Sequence, residues 1–510
     1  MDHETVYILD FGSQYTQLIA RRLRELAVKT VIVRGDEPVR RIGEDGVIGI
    51  VLSGGPNSVL EPGAMQVDSA VFDLGVPVLG ICYGMQLMAQ CLGGEVAPSS
   101  GREYGLADLE MAAEESVLAG TPSHQPVWMS HGDQVAHVPP GFRIIASTSS
   151  TPVAAMADDA RRFVGLQFHP EVQHTPNGDT MLERFLTMTG ARRDWRPEAI
   201  RDELVRELGQ RVVDGRVICG VSGGVDSSVT AVLLREAVGD RLVPIFIDTG
   251  LLRQAERQAV EQSFADFGMK LQVVDAATRF FEALRGVTDP EQKRKIIGRE
   301  FVKVFEEEAK RFPDARYLAQ GTLYPDVIES SGIRGTAAVI KTHHNVGGLP
   351  ERLELELVEP LRELFKDEVR RVGEILGLPH EFVWRHPFPG PGLAVRILGE
   401  VTPEQVEILQ KADAIVLEEI RGAGLYGEIS QALSVLLPVR AVGVMGDNRT
   451  YEQVLAVRAV TTTDFMTADW FRFPANVLDT ISRRVVNEVP GINRVVYDVT
   501  SKPPGTIEWE

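Results

Sequence analysis

Val76–Gly84 reads VPVLGICYG, and Arg216–Ser228 reads RVICGVSGGVDSS. In each stretch a short apolar run passes into glycines that precede a helical pattern, as a buried strand does when it turns sharply into a helix. Similar apolar runs alternate with helical patterns along much of the chain, for example at 47–52 and 242–248. This rhythm predicts an α/β protein with two doubly wound, mainly parallel sheets, followed by a smaller α+β domain.

Two irregular stretches divide the chain. The periodicity fails between 187 and 199, where GARRDWRP at 190–197 has the composition of a linker. RHPFPGPG at 385–392 cannot form a regular helix or a central strand, because proline lacks an amide N–H and fixes φ. We therefore predict three domains, at residues 1–194, 195–385 and 386–510.

Composition narrows the class of protein. The 510 residues carry a net charge of −19, which argues against a broad nucleic-acid surface. Gly75–Gly94 has no charged residue and the length of a membrane span, but its glycines and glutamines favour a buried strand and helix. The three cysteines form no CxxC pair, and the first residues lack the pattern of a secretory signal. We expect a cytoplasmic protein with no membrane or nucleic-acid partner.

Cys82 stands at the first strand-to-helix turn, where the positive end of the helix dipole favours a thiolate nucleophile. His169 ends another apolar run, and Glu171 two residues later would orient its imidazole. The three residues are therefore a candidate catalytic triad. A small buried core residue is the alternative interpretation of Cys82, and it is the one we adopt for Cys91 and Cys219.

Amide chemistry also needs donors for a developing oxyanion. The main-chain N–H of Tyr83 opens the helix after Cys82, and a second N–H is available from the Gly54–Gly55 loop that follows another strand. These motifs resemble those of the class I glutamine amidotransferases over roughly residues 7–188. The resemblance implies that the triad hydrolyses glutamine. It also implies that glutamine lies near a further set of residues, namely Gln86, Ser130, His131, Gly132 and Asp133; a solvated turn is the alternative for His131 and Asp133.

The second turn has the features of a phosphate-binding loop. Its glycines let the backbone approach a phosphate, and the helix that follows supplies N–H donors. It is not a GxxxxGK[ST] loop, because no Lys-Ser/Thr pair follows. It resembles the PP-loop of ATP pyrophosphatases, which implies that ATP is bound by Ser222, Gly223, Gly224, Val225, Asp226, Ser227 and Ser228. Asp226 is also the candidate ligand for Mg²⁺.

Three further features belong with the predicted nucleotide site. Asp248 ends the next strand at the edge where open parallel sheets bind ligands, and Gln320-Gly321-Thr322 ends another apolar run at the same edge. Lys366 is the first residue of a later helix. The resemblance implies that its side chain binds a phosphate of ATP, and the alternative is an ordinary cation at the start of a helix. KTHHNVGG at 341–348 is polar and glycine-rich, and we predict a mobile lid there rather than a metal site.

Three long strings complete the pattern: RHPFPGPGLAVR at 385–396, VGVMGDNRTY at 442–451 and YDVTSKPPGTIEWE at 497–510. With the two sites, they resemble the family of glutamine-hydrolysing GMP synthases over nearly the whole chain. The resemblance implies that ATP adenylates xanthosine monophosphate (XMP), that ammonia displaces AMP, and that the third domain forms a homodimer. It places XMP at Arg253, Gln431, Asp447, Lys502 and Glu508, for which solvated surface charge is the alternative.

Other functions stay open from the residues alone. Another glutamine-dependent ATP pyrophosphatase, such as an NAD synthetase, would carry a different glutaminase, without GICYG and HPE. A catalytically silent nucleotide-binding regulator would show a broken triad or loop, and neither is broken here. A thiol hydrolase acting on peptides would not need the attached ATP site.

Overall fold

The computed structural model describes residues 3–42, 46–112, 116–330, 354–445, 448–462, 465 and 467–510. The described residues form two compact units, one of residues 3–203 with 324–330 and one of residues 204–323 with 354–510. The predicted domain boundaries after residues 194 and 385 stay predictions, since compactness alone groups the second and third predicted domains together.

The first unit begins with alternating strands and helices. In chain order its elements are β1 (Thr5–Asp10), α1 (Thr16–Glu25), β2 (Lys29–Arg34), β3 (Val47–Leu52), β4 (Val78–Ile81), α2 (Tyr83–Cys91), β5 (Glu95–Met111), β6 (His124–His137), β7 (Arg143–Ser147), β8 (Ala155–Asp158), β9 (Phe163–Leu166), α3 (Gly178–Thr189) and α4 (Pro197–Arg211), within which the chain passes into the second unit.

Among the described residues, nine strands form one sheet in the order β2-β1-β3-β4-β9-β8-β7-β5-β6. The strands from β2 to β9 pair in parallel, as predicted. The strands from β9 to β6 pair antiparallel, and this half was not predicted. Strands such as β4 are buried along their whole length, which explains their unbroken apolar runs.

Gly75–Gly94 forms β4 and α2, so the predicted strand and helix are confirmed. No helix among the described residues is long and apolar enough to cross a membrane. The prediction that Cys91 belongs to the core is wrong, because α2 ends there and the side chain is exposed. Cys219 is buried in the second unit, and burial raises the pKa of its thiol to about 12.

The second unit contains another α/β layer and an antiparallel region. Its elements are β10 (Arg216–Val221), α5 (Val225–Val238), β11 (Leu242–Asp248), α6 (Glu256–Asp266), β12 (Gln272–Asp275), α7 (Ala277–Leu284), α8 (Pro290–Ala309), β13 (Ala315–Ala319), then, after α9 (Tyr324–Ser330) of the first unit, β14 (Glu356–Val358), α10 (Lys366–Ile375), α11 (His380–Val383), α12 (Pro403–Gly422), β15 (Gln431–Met445), β16 (Asn448–Thr461), β17 (Asp469–Trp470), α13 (Ala475–Glu488) and β18 (Ile492–Tyr497).

In the part of this unit that the structure describes, five parallel strands lie in the order β12-β11-β10-β13-β14. The strand order reverses at β10, the position where open α/β sheets bind ligands. The second sheet pairs β15, β16 and β17 antiparallel and adds β18 in parallel to β16. The predicted fold class is confirmed, and β15 and β16 of this sheet are 15 and 14 residues long.

Candidate active sites

Cys82 occupies a strained turn between β4 and α2. Its φ of +51° lies in the left-handed region, which residues other than glycine adopt at a cost. Its N–H donates to the carbonyl of Leu166 at 2.7 Å, and Gly84 N–H donates to the carbonyl of Ser53 at 3.0 Å. A Cβ on Gly84 would lie 2.2 Å from the carbonyl oxygen of Leu52, so only glycine fits there. These contacts hold the thiol at the end of the strand, as in a nucleophile elbow.

The structure brings His169 and Glu171 together behind this turn. His169 Nδ1 lies 2.7 Å from Glu171 Oε1, and both side chains are buried. Burial by itself lowers the pKa of His169, but the Glu171 charge and hydrogen bonds with Cys82 and Glu171 raise this pKa well above its ordinary value. Because Glu171 occupies Nδ1, the ring presents Nε2 to the thiol. This geometry is compatible with the predicted roles of nucleophile, base and orienting residue.

The Gly54–Gly55 loop after β3 packs closely against His169 and against the ring of Tyr83. A Cβ on Gly54 would lie 3.1 Å from Cε1 of His169, and one on Gly55 would lie 3.0 Å from the Tyr83 ring. Tyr83 begins α2, where main-chain N–H groups lack helical acceptors. The loop that carries one predicted oxyanion donor therefore packs against His169 and Tyr83, next to Cys82 in the chain.

Ser130 lies next to the thiol, and Gln86 is connected to the thiol through Gln167. The Cys82 thiol donates to the carbonyl of Ser130, with sulfur and oxygen 3.4 Å apart. Gln86 Nε2 donates to the carbonyl of Asp133 at 2.8 Å and to Gln167 Oε1 at 3.2 Å. Gln167 Nε2 in turn lies 3.6 Å from Cys82 Sγ. Two buried amides therefore connect the nucleophile to β6.

Gln167 was not predicted, although the sequence contained a signal for it. It is a fully buried polar residue near the end of an apolar run, two positions before His169. Buried amides need hydrogen-bond partners, so a glutamine at such a position indicates a site.

His131 belongs to strand β6 and is buried, so the alternative of a solvated turn is wrong for it. Its Nδ1 lies 3.0 Å from the carbonyl of Asp133, and its Nε2 lies 3.4 Å from Glu103 Oε2. Burial lowers the pKa of His131, against the opposing charge of Glu103. Glu103 accepts hydrogen bonds from the hydroxyls of Thr148, Ser150 and Thr151. Sequence analysis did not single out Glu103.

The predicted phosphate loop connects β10 to α5 and is closed by its own side chains. The main-chain N–H of Ser222 donates to Ser227 Oγ at 3.2 Å, and that of Gly224 donates to Ser222 Oγ at 3.2 Å. Gly223 has a φ of +75°, which glycine adopts without strain. The loop therefore presents backbone at the N-terminus of a helix, at the reversal point of the sheet.

Asp226 lies beside two of the other residues assigned to the nucleotide site, Lys366 and Gly321. Its Oδ2 accepts from Lys366 Nζ at 2.5 Å, while its buried Oδ1 has no hydrogen-bond partner among the described residues. A Cβ on Gly321 would lie 3.2 Å from the main-chain carbon of Asp226, so the end of β13 reaches the loop. Asp248 ends β11 and accepts from Gly250 N–H at 2.9 Å and from Arg257 Nη1 at 3.2 Å.

Glu508, one of the predicted XMP residues, is held by two other side chains. Gln431 Nε2 donates to its Oε1 at 2.7 Å, and Arg396 binds both of its carboxylate oxygens, at 3.1 and 2.8 Å. The guanidinium groups of Arg396 and Arg253 lie 5.1 and 4.8 Å from the Phe388 ring centre. Arg396 and Phe388 thus join a group that sequence analysis had only partly assigned.

Arg253 is also fixed within this group, since its Nε donates to Asp413 Oδ2 at 3.0 Å. Lys502 Nζ donates instead to the carbonyl of Phe465 at 2.7 Å, and no contact among the described residues joins it to Glu508. Asp447 and the predicted lid at 341–348 lie outside the described residues.

His386 is held beside this group as a neutral imidazole. Its Nε2 donates to the carbonyl of Tyr426 at 3.0 Å, and its Nδ1 accepts from the N–H of Ala432 at 3.2 Å. Burial, together with the charges of Arg253 and Arg421, lowers the pKa of His386 to about 4. A second ring proton would point at the Ala432 N–H and would have no acceptor.

We expect the second unit to lose stability as the pH falls from about 6.5 to 4. The unfolded imidazole takes up a proton near pH 6.5, whereas the folded one resists it until about pH 4, so the loss approaches about 3 kcal/mol. Urea unfolding of the full chain at several pH values measures this loss, with His386→Gln as the variant that removes it. An identical pH dependence in both proteins would show that His386 is not the group responsible.

Comparison with known families agrees with the two kinds of site. Residues 7–189 match the family model described as glutamine amidotransferase class-I. Residues 198–298 match the NAD synthase model, and residues 418–509 match the GMP synthase C terminal domain. The fold and the matches define the class: a class I glutamine amidotransferase joined to an ATP-using PP-loop synthetase.

Relatives that match the whole chain identify the family within this class. Proteins named GMP synthase [glutamine-hydrolyzing] are 58% identical in Phenylobacterium zucineum, over 100% of this chain and 99% of the relative, and 57% identical in Symbiobacterium thermophilum, over 99% of each. The Aquifex aeolicus protein of the same name is 53% identical over 100% of both chains. The chain belongs to the family of glutamine-hydrolysing GMP synthases and is a ligase. The NAD synthase match covers only part of the chain and does not extend over the other two regions.

Proposed function

We propose that this enzyme makes GMP from XMP, as a step of purine biosynthesis. ATP adenylates O2 of the xanthine ring and releases pyrophosphate; ammonia from glutamine then displaces AMP. The observation that carries the proposal is that both sites are intact on one chain. A buried thiol, imidazole and carboxylate lie together in the first unit, and a closed phosphate loop faces Lys366 in the second.

In the proposed glutamine half-reaction, His169 takes the thiol proton of Cys82, and the thiolate attacks the amide carbon of glutamine. The N–H of Tyr83 and the Gly54–Gly55 loop stabilise the oxyanion. His169 then protonates the leaving ammonia, and water, deprotonated by the same imidazole, hydrolyses the thioester to glutamate. Glu171 keeps the imidazole oriented and stabilises its charged form.

In the proposed ATP half-reaction, the N–H groups of the Ser222–Ser228 loop and the N-terminus of α5 hold phosphate oxygens, and Lys366 adds a positive charge. The orphaned buried Oδ1 of Asp226 fits an oxygen ligand of Mg²⁺. When bound, the ion would offset phosphate charge.

We assign XMP to the group around Glu508. Arg253 Nη2 and Arg396 Nη1 are buried nitrogens without a hydrogen-bond partner in the described part of the chain. Because an unsatisfied buried donor is costly, two such donors near one aromatic ring support a ligand rich in acceptors, as a purine nucleotide is. Gln431 and Glu508 complete this assignment, whereas Lys502 and Asp447 rest on the family resemblance alone.

We also propose a cytoplasmic homodimer that forms through the β15–β16 hairpin. The hairpin extends beyond the part of β16 that β18 covers, and its cross-strand neighbours Val442 and Tyr451 are more than half exposed, as is Val444. An apolar patch of this kind on a β-ribbon is typical of a self-association surface. The free thiols of the three cysteines agree with a reducing compartment.

Val444→Asp is expected to convert the dimer to a monomer, because a carboxylate in the dimer contact would lose its hydration without a partner. Light scattering after size-exclusion chromatography measures the mass, against 56.1 kDa for one chain. Val213→Asp is the matched control, since Val213 is equally exposed and lies outside the hairpin. A wild-type monomer, or a Val444→Asp dimer, would contradict the assignment.

Phosphorus NMR of the purified protein with ATP, Mg²⁺, glutamine and XMP tests the proposed reaction. The expected products are AMP, pyrophosphate and GMP, appearing together. ADP with orthophosphate would contradict cleavage between the α- and β-phosphates. Glutamate release without turnover of XMP would retain the thiol site and reject XMP as the acceptor.

A further inference from the structure

Lys293 of helix α8 is a charged residue with a fully buried side chain. Its Nζ donates to the carbonyls of Ala394 and Ile397 at 3.2 and 2.6 Å and to Glu510 Oε2 at 2.5 Å. These three acceptors match the three N–H bonds of an ammonium group. A buried ammonium is costly unless it is paired and fully hydrogen-bonded, so this position has a specific partner set.

Glu510 is the residue that Lys293 reaches across the fold. Its side chain is 8% exposed, and its main-chain oxygen accepts a hydrogen bond from Arg294, the neighbour of Lys293 on α8. Two successive side chains of one helix therefore hold both the main chain and the side chain of Glu510. None of the residues around it in 500–510 belongs to a helix or a named strand, and this segment is held by side-chain contacts together with a backbone bridge between Lys502 and Ala468.

The ion pair between Lys293 and Glu510, which we call the anchor, is connected to the proposed XMP group at two points. Glu510 lies two residues after Glu508, whose carboxylate receives Arg396 and Gln431. Ala394 and Ile397 flank Arg396, so Lys293 also holds the backbone from which the Arg396 guanidinium extends. One buried ammonium thus ties together the two chain segments whose side chains form the Arg396–Glu508 pair.

Arg458, a buried residue of β16, holds an earlier part of the same segment. Its guanidinium donates to the carbonyls of Ile507, Thr506 and Thr500. This contact holds 500–507 but does not reach the last residues of the chain. Beyond residue 507, Thr506 Oγ1 donates to the carbonyl of Glu508, and Trp509 Nε1 donates to Asp498 Oδ2 at 2.9 Å. Lys293 adds to these contacts a buried ion pair with Glu510 that also reaches the backbone on both sides of Arg396.

We propose that Lys293 and Glu510 are positioning residues for the XMP site. Their ion pair holds Glu508 against Arg396 in the geometry that leaves Arg396 Nη1 free for the ligand. This inference rests on the proposed assignment of XMP to the Glu508 group. The pair touches neither ATP nor glutamine in the proposed assignment, so its loss should affect XMP selectively.

Glu510→Gln removes the charge and keeps the size of the side chain. We expect the KM for XMP in ammonia-dependent synthesis to rise about ten- to hundredfold, because small displacements of binding groups have effects of this size. The KM for ATP should change far less. Calorimetric titration of the full chain with XMP should show a matching rise in Kd.

Glu307→Gln is the matched control, since it removes an ion pair between Glu307 and Arg279 on the exposed side of the same helix. Lys293→Met tests the other half of the anchor, and combining it with Glu510→Gln should add little to either single change. If Lys293→Met fails to fold, the XMP parameters of Glu510→Gln still test whether the ion pair positions the XMP site.

The possible outcomes distinguish failure of the positioning role of Lys293 and Glu510 from failure of the proposed function. A wild-type protein that does not bind XMP would reject the proposed acceptor, and the inference with it. Wild-type binding of XMP with an unchanged Kd and KM in Glu510→Gln would overturn the anchor alone. A lower melting temperature with unchanged XMP parameters would also overturn it, because the pair would then serve stability only.

Discussion

Cys82→Ala is expected to abolish GMP synthesis from glutamine while synthesis from free ammonia continues. Removing a covalent nucleophile costs about 10⁴-fold or more, because the base and the oxyanion donors then have no thiolate to support. Ammonia supplied in solution bypasses this step, and the proposed adenylation site belongs to the other compact unit. The measurement is the rate of GMP formation with each nitrogen source at saturating ATP and XMP.

Cys91→Ala is the matched control for this experiment. Cys91 ends the same helix that Cys82 precedes, but its side chain is exposed and lies away from His169. Its removal should leave both activities as they are. Equal loss with glutamine and with ammonia in Cys82→Ala would refute the assignment of the thiol to glutamine hydrolysis.

Asp226→Asn should remove synthesis from both nitrogen sources, because adenylation precedes the attack of either. The amide keeps the shape of the carboxylate but cannot neutralise Lys366 or offer an anionic oxygen to a cation. Loss of one electrostatic group aimed at a reacting phosphate costs about 10²- to 10³-fold. The measurement is the release of pyrophosphate and AMP with glutamine and, separately, with ammonia.

Asp240→Asn provides the comparison for this second experiment. Asp240 follows the same helix α5 and pairs with Arg235, but its side chain is almost fully exposed. Exposed ion pairs contribute little, so this variant should retain activity with both nitrogen sources. Ammonia-dependent synthesis that survives Asp226→Asn would contradict a role for Asp226 in adenylation.

The two strand-to-helix turns were predictable because their requirements are local. The β10 loop is closed by hydroxyls within five residues of one another. The turn at Cys82 is a partial exception, because the oxygen that requires Gly84 belongs to Leu52 on β3, which is distant in the chain. His169 and Glu171, in contrast, are only two positions apart. Contacts of this range are visible as motifs, and the parallel strands that carry them are visible as unbroken apolar runs.

The antiparallel half of the first sheet was not predictable in the same way. β5 and β6 bury one face only, so their residues alternate, and the run SHGD within β6 has the composition of a turn. Pairing with β5 is what makes it a strand and places His131 opposite Glu103. Composition alone therefore could not decide between a site residue and a solvated turn for His131.

The sequence alone was enough to predict the fold class, the PP-loop synthetase region and the family, and it singled out the three residues that we propose as the triad. The partners of the remaining polar groups depend on tertiary structure: Gln167 meets Cys82 across 85 positions, Arg396 meets Glu508 across 112, and Lys293 meets Glu510 across 217. A buried charge or amide needs a hydrogen-bond partner, so a sequence can predict that such a partner exists. Which of many polar residues is that partner depends on how distant segments pack, because such contacts leave no periodic or local pattern in the chain.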